Sequence, residues 1–568
     1  MLAQLKETLA TQISTIVGVS ALDIQKALEV PKNYDHGHLS WPLFNLAKNL
    51  EQNPQKLTLE MKLKIENLNL EELSSVEPLG GFLNFKFKPQ ALAKTLFLNL
   101  ESGPGLSKNT IGNQQTVVID YSSPNVAKKM HVGHLRGTII GQAIVNLHRT
   151  CGYQVVGLNH LGDWGTQFGK LAWSIEKWGS ELGERLWTID GLLELYVKFH
   201  EESEKNPELE VLASAEFLKL EKGDTKLTTV WKKIIEVSMI DYNRIYQILN
   251  VKHDQVIGES FYNQHLSGVV DLLKSKNLLQ TSEGAQVVMF DEVEKLPPCL
   301  IQKSDGASLY ATRDLASAIY RHDVLKGDQL IYIVGAEQTL HFRQVFKVLE
   351  LCGFSWAQNC HHVSHGLYRF KEGKMSTRKG RVIHLEDVLE TAIELITDVM
   401  KEKRPELLDQ KPIIQKIAIG AVIFNDLMND RSKNVEFDWD RAISTEGDSG
   451  PYVQYMAVRC KSILKKRSSF SPQSTGFDFD WNDSETKLIY SLLQFQEVVK
   501  ASCTQFKPNL LAQYLLQVCT EFSHFYHLNR VLEEPVEIEK RRLSLVFLTQ
   551  TVLVEGLGLL GIDSPDAM

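Results

Sequence analysis

Apolar positions along this chain recur with more than one period, and the changes of period divide it. Leu2, Leu5, Leu9, Ile13 and Val17 sit near helical spacing and predict a first helix over 2–18, with a second expected over 38–50. GGFLNFKF, Gly80 to Phe87, alternates as a half-buried strand does. Turn formers dominate 101–115, which reads as a linker. TVVIDYS (116–122) then reads as a buried strand and the Pro124 segment as a turn. A helix is expected over 131–147, with Leu135, Ile139, Ile140, Ala143, Ile144 and Leu147 as its stripe. YQVVGLNHLG and DQLIYIVGAEQ (328–338) give further strands. Strand, turn and helix in succession imply a parallel sheet whose ligand crevice lies at the strands' carboxyl ends. Beyond about 400 the pattern is helical: Pro508 suits a first turn, and Leu511, Tyr514, Leu515, Val518, Cys519 and Phe522 form one broad stripe. The expected division is a small α/β module over 1–110, a parallel-sheet α/β domain over 111–440, and an all-α bundle over 441–568.

Composition narrows the classes. A chain of 568 residues is too long for one ordinary core. With 43% hydrophobic residues, 23% charged and no run of about 18 apolar residues, it is expected to be soluble and free of membranes. Glu7 and the absence of early arginines argue against a leader. Seven scattered cysteines without a CxxC pair suit reduced thiols in the cytoplasm. The net charge of −8 repels nucleic acid on average, but local patches decide such binding. Two stand out: Lys374, Arg378, Lys379 and Arg381, then Lys461, Lys465, Lys466 and Arg467. A solvated charged face is the plain alternative for either.

The chemistry concentrates at HVGH, where His131 and His134 open a helix with Gly133 between them. Metal ligation lacks support: HExxH is absent, and Cys360, His361, His362 and His365 lack paired-ligand spacing, so no zinc site is expected. Core packing remains open. Phosphate binding fits the surroundings better, since a helix start offers free N–H groups and a positive dipole end. Gly133 would let a nucleotide approach, and imidazole N–H groups can follow charge developing on phosphate. Far downstream, KEGKMSTRKGRVI (371–383) packs Lys374, Arg378, Lys379 and Arg381 among glycines and hydroxyls, a composition suited to closing over a triphosphate.

HVGH after a strand and turn, with KMSTRKG far downstream, resembles the HIGH and KMSKS motifs of class I aminoacyl-tRNA synthetases. The longer blocks SSPNVAKKMHVGHLRGTIIG, NHLGDWGTQFGKL, DGASLYATRDLASAIYR, VGAEQTLHFRQVF and EGDSGPYVQYMAVRCKSIL are similar to the arginyl-tRNA synthetase family. The resemblance implies a Rossmann-like catalytic domain, an N-terminal tRNA-contacting domain and a helical anticodon-binding domain. It also implies ATP-dependent joining of L-arginine to its tRNA through an adenylate, with Mg²⁺. His131, Gly133, His134, Lys374, Met375 and Ser376 would hold ATP, and His131, His134, Lys374, Arg378 and Lys379 would stabilise the transition state. Thr377 stands where KMSKS has its second lysine, so Lys128 or Lys129 is expected to supply that cation.

A guanidinium calls for carboxylates of fixed geometry. By the resemblance, Asp120, Tyr310 and Asp314 would read it, while Ser122, Asn125 and Gln338 would hold the amino and carboxylate end. The Tyr310–Asp314 spacing puts both on one face if the segment is helical. Tyr452, Tyr455, Arg459 and Lys461 are candidates for tRNA contact, though the two tyrosines suit a core equally well. A monomer is expected. A class I synthetase for another amino acid and a non-catalytic tRNA-binding protein stay open.

Overall fold

The computed structural model describes residues 1–98, 105–304, 309–370, 383–467, 470–472 and 479–568. The loop residues Lys374, Met375, Ser376, Arg378, Lys379 and Arg381 lie outside this set.

A five-stranded parallel sheet organises the middle of the chain. Its strands run, edge to edge, Cys360–His362, Gln329–Tyr332, Thr116–Asp120, Gln154–Asn159 and Gln255–Val256. The strand expected first is the central one: Val117, Val118 and Ile119 are buried, as a strand covered on both faces requires. The helix expected over 131–147 spans Val132–Thr150 and runs from the carboxyl end of that strand. Its apolar stripe packs under the sheet, and Gly141 lets it approach Tyr121, whose Cβ lies 2.3 Å from where a side chain would begin.

The N-terminal module carries the helix Leu2–Val17 and a three-stranded antiparallel sheet that includes Phe82–Phe87. One helix forms differently. The segment expected as helix over 38–50 opens as a strand, Leu39–Pro42, pairing Leu39 with Phe85 and Trp41 with Leu83. Helix begins only after Pro42, at Phe44, because proline disfavours helical geometry in the residue before it.

The C-terminal part is a helical bundle: Gly450–Lys465, Asp483–Leu493, Phe495–Thr504, Pro508–Leu528 and Val536–Leu559. Pro508 opens its helix as the sequence suggests, and the predicted stripe is buried. Val536–Leu559 is long and apolar enough to cross a membrane, but it packs along Gly450–Lys465 with Leu545, Leu548 and Val552 fully buried. The bundle also joins the N-terminal module, where the Tyr490 hydroxyl donates to the His38 carbonyl at 2.5 Å. All seven cysteines are buried and unpaired.

Candidate active site

The loop from the central strand into the HVGH helix is tightly constrained. Ser122, Ser123 and Ala127 all adopt left-handed backbone, with φ of 74°, 50° and 65°. Non-glycine residues hold that conformation only where neighbours impose it. The neighbours are visible: Asn159 accepts the Ser123 N–H, Ser238 accepts the Ala127 N–H, Val126 N–H donates to the Gly162 carbonyl, and Gly162 N–H donates to the Pro124 carbonyl. The Tyr242 hydroxyl meets the carbonyls of both Asn125 and Lys128.

At the helix start, both histidine side chains cap backbone N–H groups of the first turn. His131 Nδ1 accepts the Gly133 N–H at 3.1 Å, and His134 Nδ1 accepts the His131 N–H at 3.1 Å. Both Nδ1 atoms therefore carry a lone pair, so each neutral ring bears its proton on Nε2. Burial lowers the pKa of His134 to about 4, and burial with His384 and Lys128 nearby lowers that of His131. The pair is thus a matched set of neutral Nε2–H donors. Gly133 also makes room for the His131 ring, since a Cβ there would lie 2.7 Å from His131 Cε1. The segment following the basic loop returns here too, since Val132 N–H donates to Ile383 O and Leu385 N–H to Met130 O. Two motifs far apart in sequence are joined at this turn.

Lys128 and Lys129 differ in availability. Lys129 is tied to Asp190 at 2.6 Å and Glu386 at 3.9 Å. Lys128 is exposed, with its ammonium 5.3 Å from the Tyr196 ring centroid, and its charge is felt by both histidines.

Beside this turn, at the carboxyl ends of the strands, lies a cavity of about 480 Å³. Asp120, Asn125, Tyr310, Asp314 and Gln338 all line it. Tyr310 and Asp314 do so from the first turns of the helix Tyr310–Asp323, and Tyr310 is 70% exposed at its mouth. His341 Nε2 lies 2.5 Å from Asp314 Oδ2 and fixes that carboxylate. Ser122 is not part of the cavity. Its hydroxyl turns to Tyr246 and Thr138, both at 2.8 Å, and Ser123 lines the cavity instead. Asp120 is on the lining but already engaged: Oδ2 meets Arg321 at 2.8 Å, and Oδ1 accepts from Ser123 Oγ at 2.8 Å.

Sequence reading missed a second carboxylate, Glu259. It stands in a short 3₁₀ turn after the edge strand Gln255–Val256, paired with Arg313 at 3.3 Å. Asp163, from the NHLGDWG block, anchors this turn by accepting the N–H and hydroxyl of Ser260. Burial raises the Glu259 pKa to about 7; Arg313 opposes the shift, and Asp314 and Asp163 add to it. The cavity therefore concentrates negative charge, with Glu337 also on its wall.

The proposed tRNA-contacting residues share one helix, Gly450–Lys465, but not one environment. Tyr455 is exposed, Tyr452 packs partly into the core, Arg459 stacks 4.5 Å over Tyr526, and Lys461 is paired with Asp566 at 2.5 Å. Among the described residues no group of three or more His, Cys, Asp or Glu side chains is arranged to hold a metal ion.

Over residues 99–439 the sequence matches the family described as tRNA synthetases class I (R), catalytic domain. The chain belongs to the arginyl-tRNA synthetases. Residues 3–87 match the arginyl-tRNA synthetase N-terminal domain, and 453–568 the DALR anticodon-binding domain. The arginine–tRNA ligase of Clostridium beijerinckii is 41% identical, covering 99% of this chain and 100% of its own. That of Clostridioides difficile is 39% identical, with 97% of each chain covered. The solved arginyl-tRNA synthetase of Thermus thermophilus superposes with a TM-score of 0.84 at 26% identity over the whole of both chains.

Proposed function

We propose that this chain ligates L-arginine to its tRNA, with Glu259 and Asp314 reading the guanidinium. The observation that carries the reading is the pair of carboxylates on the lining of a single cavity, which also takes in Asp120, Ser123 and Asn125 at the end of the central strand and in the loop that leads to the HVGH helix. Tyr310, at the mouth, closes over the planar group, and Ser123, Asn125 and Gln338 hold the amino and carboxylate end. The arginine carboxylate then attacks the α-phosphorus of ATP, and pyrophosphate leaves. The Nε2–H groups of His131 and His134 meet charge as it develops on the phosphate oxygens. Lys128 supplies the cation that Thr377 does not, since Lys129 is held by two carboxylates. Lys374, Met375, Ser376, Arg378 and Lys379 act on the triphosphate by resemblance to the family. Mg²⁺ enters with ATP, bound to its phosphate oxygens, as part of the substrate. The terminal ribose hydroxyl of the tRNA, the 2′-OH in class I chemistry, next attacks the adenylate carbonyl and releases AMP.

The bundle is proposed to carry the anticodon contacts, with Tyr455 the most available of the four candidates and Tyr452, Arg459 and Lys461 needing side-chain movement. The enzyme is proposed to work as a cytoplasmic monomer. ATP–pyrophosphate exchange with and without the cognate tRNA tests the activity. Exchange is expected with arginine and not with lysine, whose single ammonium leaves the paired acceptors unsatisfied. No exchange in either condition, with tRNA binding retained, would leave a non-catalytic tRNA-binding protein.

A further inference from the structure

Arg321 sits in the last turn of the helix whose start carries Tyr310 and Asp314. It is 1% exposed, its guanidinium carbon lies 4.9 Å over the Tyr332 ring, and it meets Asp120 at 2.8 Å. Asp120 and Tyr332 form the cavity wall, and Arg321 lies behind them. A charge buried this deeply is costly unless it is paired, so its placement needs a reason.

The reason lies in the cavity's charge. Its lining holds four carboxylates, Asp120, Glu259, Asp314 and Glu337, against the single arginine Arg313. The substrate brings two cationic groups, a guanidinium and an ammonium, so two orientations compete. Asp120 ends the central strand, next to the loop that leads into HVGH. A free carboxylate there would draw the guanidinium to the nucleotide end and turn the reacting carboxylate away from ATP.

We infer that Arg321 is a positioning residue that sets the direction in which arginine enters the site. It removes Asp120 from guanidinium binding and leaves that task to Glu259 and Asp314. Asp120 then serves to hold the Ser123 hydroxyl, through its other oxygen, toward the substrate. The inference rests on the arginine-activating function proposed above.

Reversed binding is non-productive, and it competes with productive binding for the same cavity. It therefore lowers kcat and the apparent KM for arginine by one factor and leaves kcat/KM unchanged, a split that loss of packing does not produce. For Arg321→Met, arginine-dependent pyrophosphate exchange is expected to show kcat and KM falling together by about tenfold or more, since a preference of about 1.4 kcal/mol is already tenfold. Adding Asp120→Asn to that variant is expected to restore kcat. A fall in kcat/KM at unchanged kcat, with no restoration, would overturn the inference.

Asp120→Asn alone gives an independent answer if Arg321→Met does not fold. The single amide oxygen can face Arg321 while the NH₂ group donates to Ser123 Oγ, and the charge is lost, so arginine KM is expected to rise by less than about tenfold because Glu259 and Asp314 still hold the guanidinium. A rise of about tenfold or more would assign guanidinium reading to Asp120 and overturn the inference. A parent enzyme that shows no arginine-dependent exchange would instead bring down the proposed function, and this inference with it.

Discussion

A buried carboxylate facing another carboxylate resists ionisation, and Glu259 is in that position. Its pKa of about 7 arises first from burial, with Asp314 and Asp163 adding to the shift against Arg313. An arriving guanidinium needs the ionised form, so binding must expel the proton when the medium is more acidic than that value. Arginine KM is therefore expected to rise as pH falls from 8 through 7 to 6. Glu259→Gln should raise KM by about tenfold or more, as loss of a charged hydrogen-bond partner does, and flatten this dependence. Exchange rates over that pH range check both, and an unaltered profile in the variant would place the titration elsewhere. Nothing in the sequence marked Glu259, because its turn reaches the cavity only through pairing of the edge strand Gln255–Val256. The neighbouring serines were indistinguishable for a different reason. Left-handed backbone at both Ser122 and Ser123 decides which hydroxyl faces in, and no periodicity reports φ. Tyr310 and Asp314 were named through the family resemblance; their spacing added only that a helix would put both on one face, and the segment is a helix.

At the scale of elements, the HVGH helix was the most readable feature, and its start is the most informative. Apolar spacing located Val132–Thr150, but only the geometry shows each imidazole accepting a backbone N–H at Nδ1, which leaves the proton of the neutral ring on Nε2. His134→Ala removes one donor and one cap while the buried stripe beneath stays intact. Single-turnover adenylate formation should slow by about a hundredfold or more, the usual cost of losing one preorganised donor. The cap adds only about 1 kcal/mol to stability, so the unfolding midpoint should move little. A variant that melts far below the parent would make packing the pair's main task. The strand Leu39–Pro42 shows where element reading stops. Its apolar residues suit either period, and pairing with Phe82–Phe87 decides the outcome.

Across the whole molecule, buried histidines give the enzyme a direction of acid sensitivity. Burial holds His38, His134, His148 and His253 at a pKa of about 4, against about 6.5 for an unfolded chain. Between these values the unfolded state binds protons that the folded state refuses, so each of the four favours unfolding as pH falls from 6.5 toward 4. Two buried carboxylates act the other way. Glu259 and Asp426, raised to about 7 and about 6, are protonated in the fold before they are in the unfolded chain. Four groups against two leaves a net destabilisation on acidification. Six further histidines shifted downward, His131, His160, His200, His361, His362 and His365, add to it. The unfolding midpoint is therefore expected to fall steadily from pH 7 to pH 5 in the absence of arginine. His38 offers the cleanest test, because it lies where the N-terminal module meets the bundle and its Nδ1 accepts the Phe87 N–H. His38→Gln keeps an acceptor but cannot titrate, so its midpoint should fall less steeply over the same range. Equal slopes would mean that this junction opens before His38 takes up its proton.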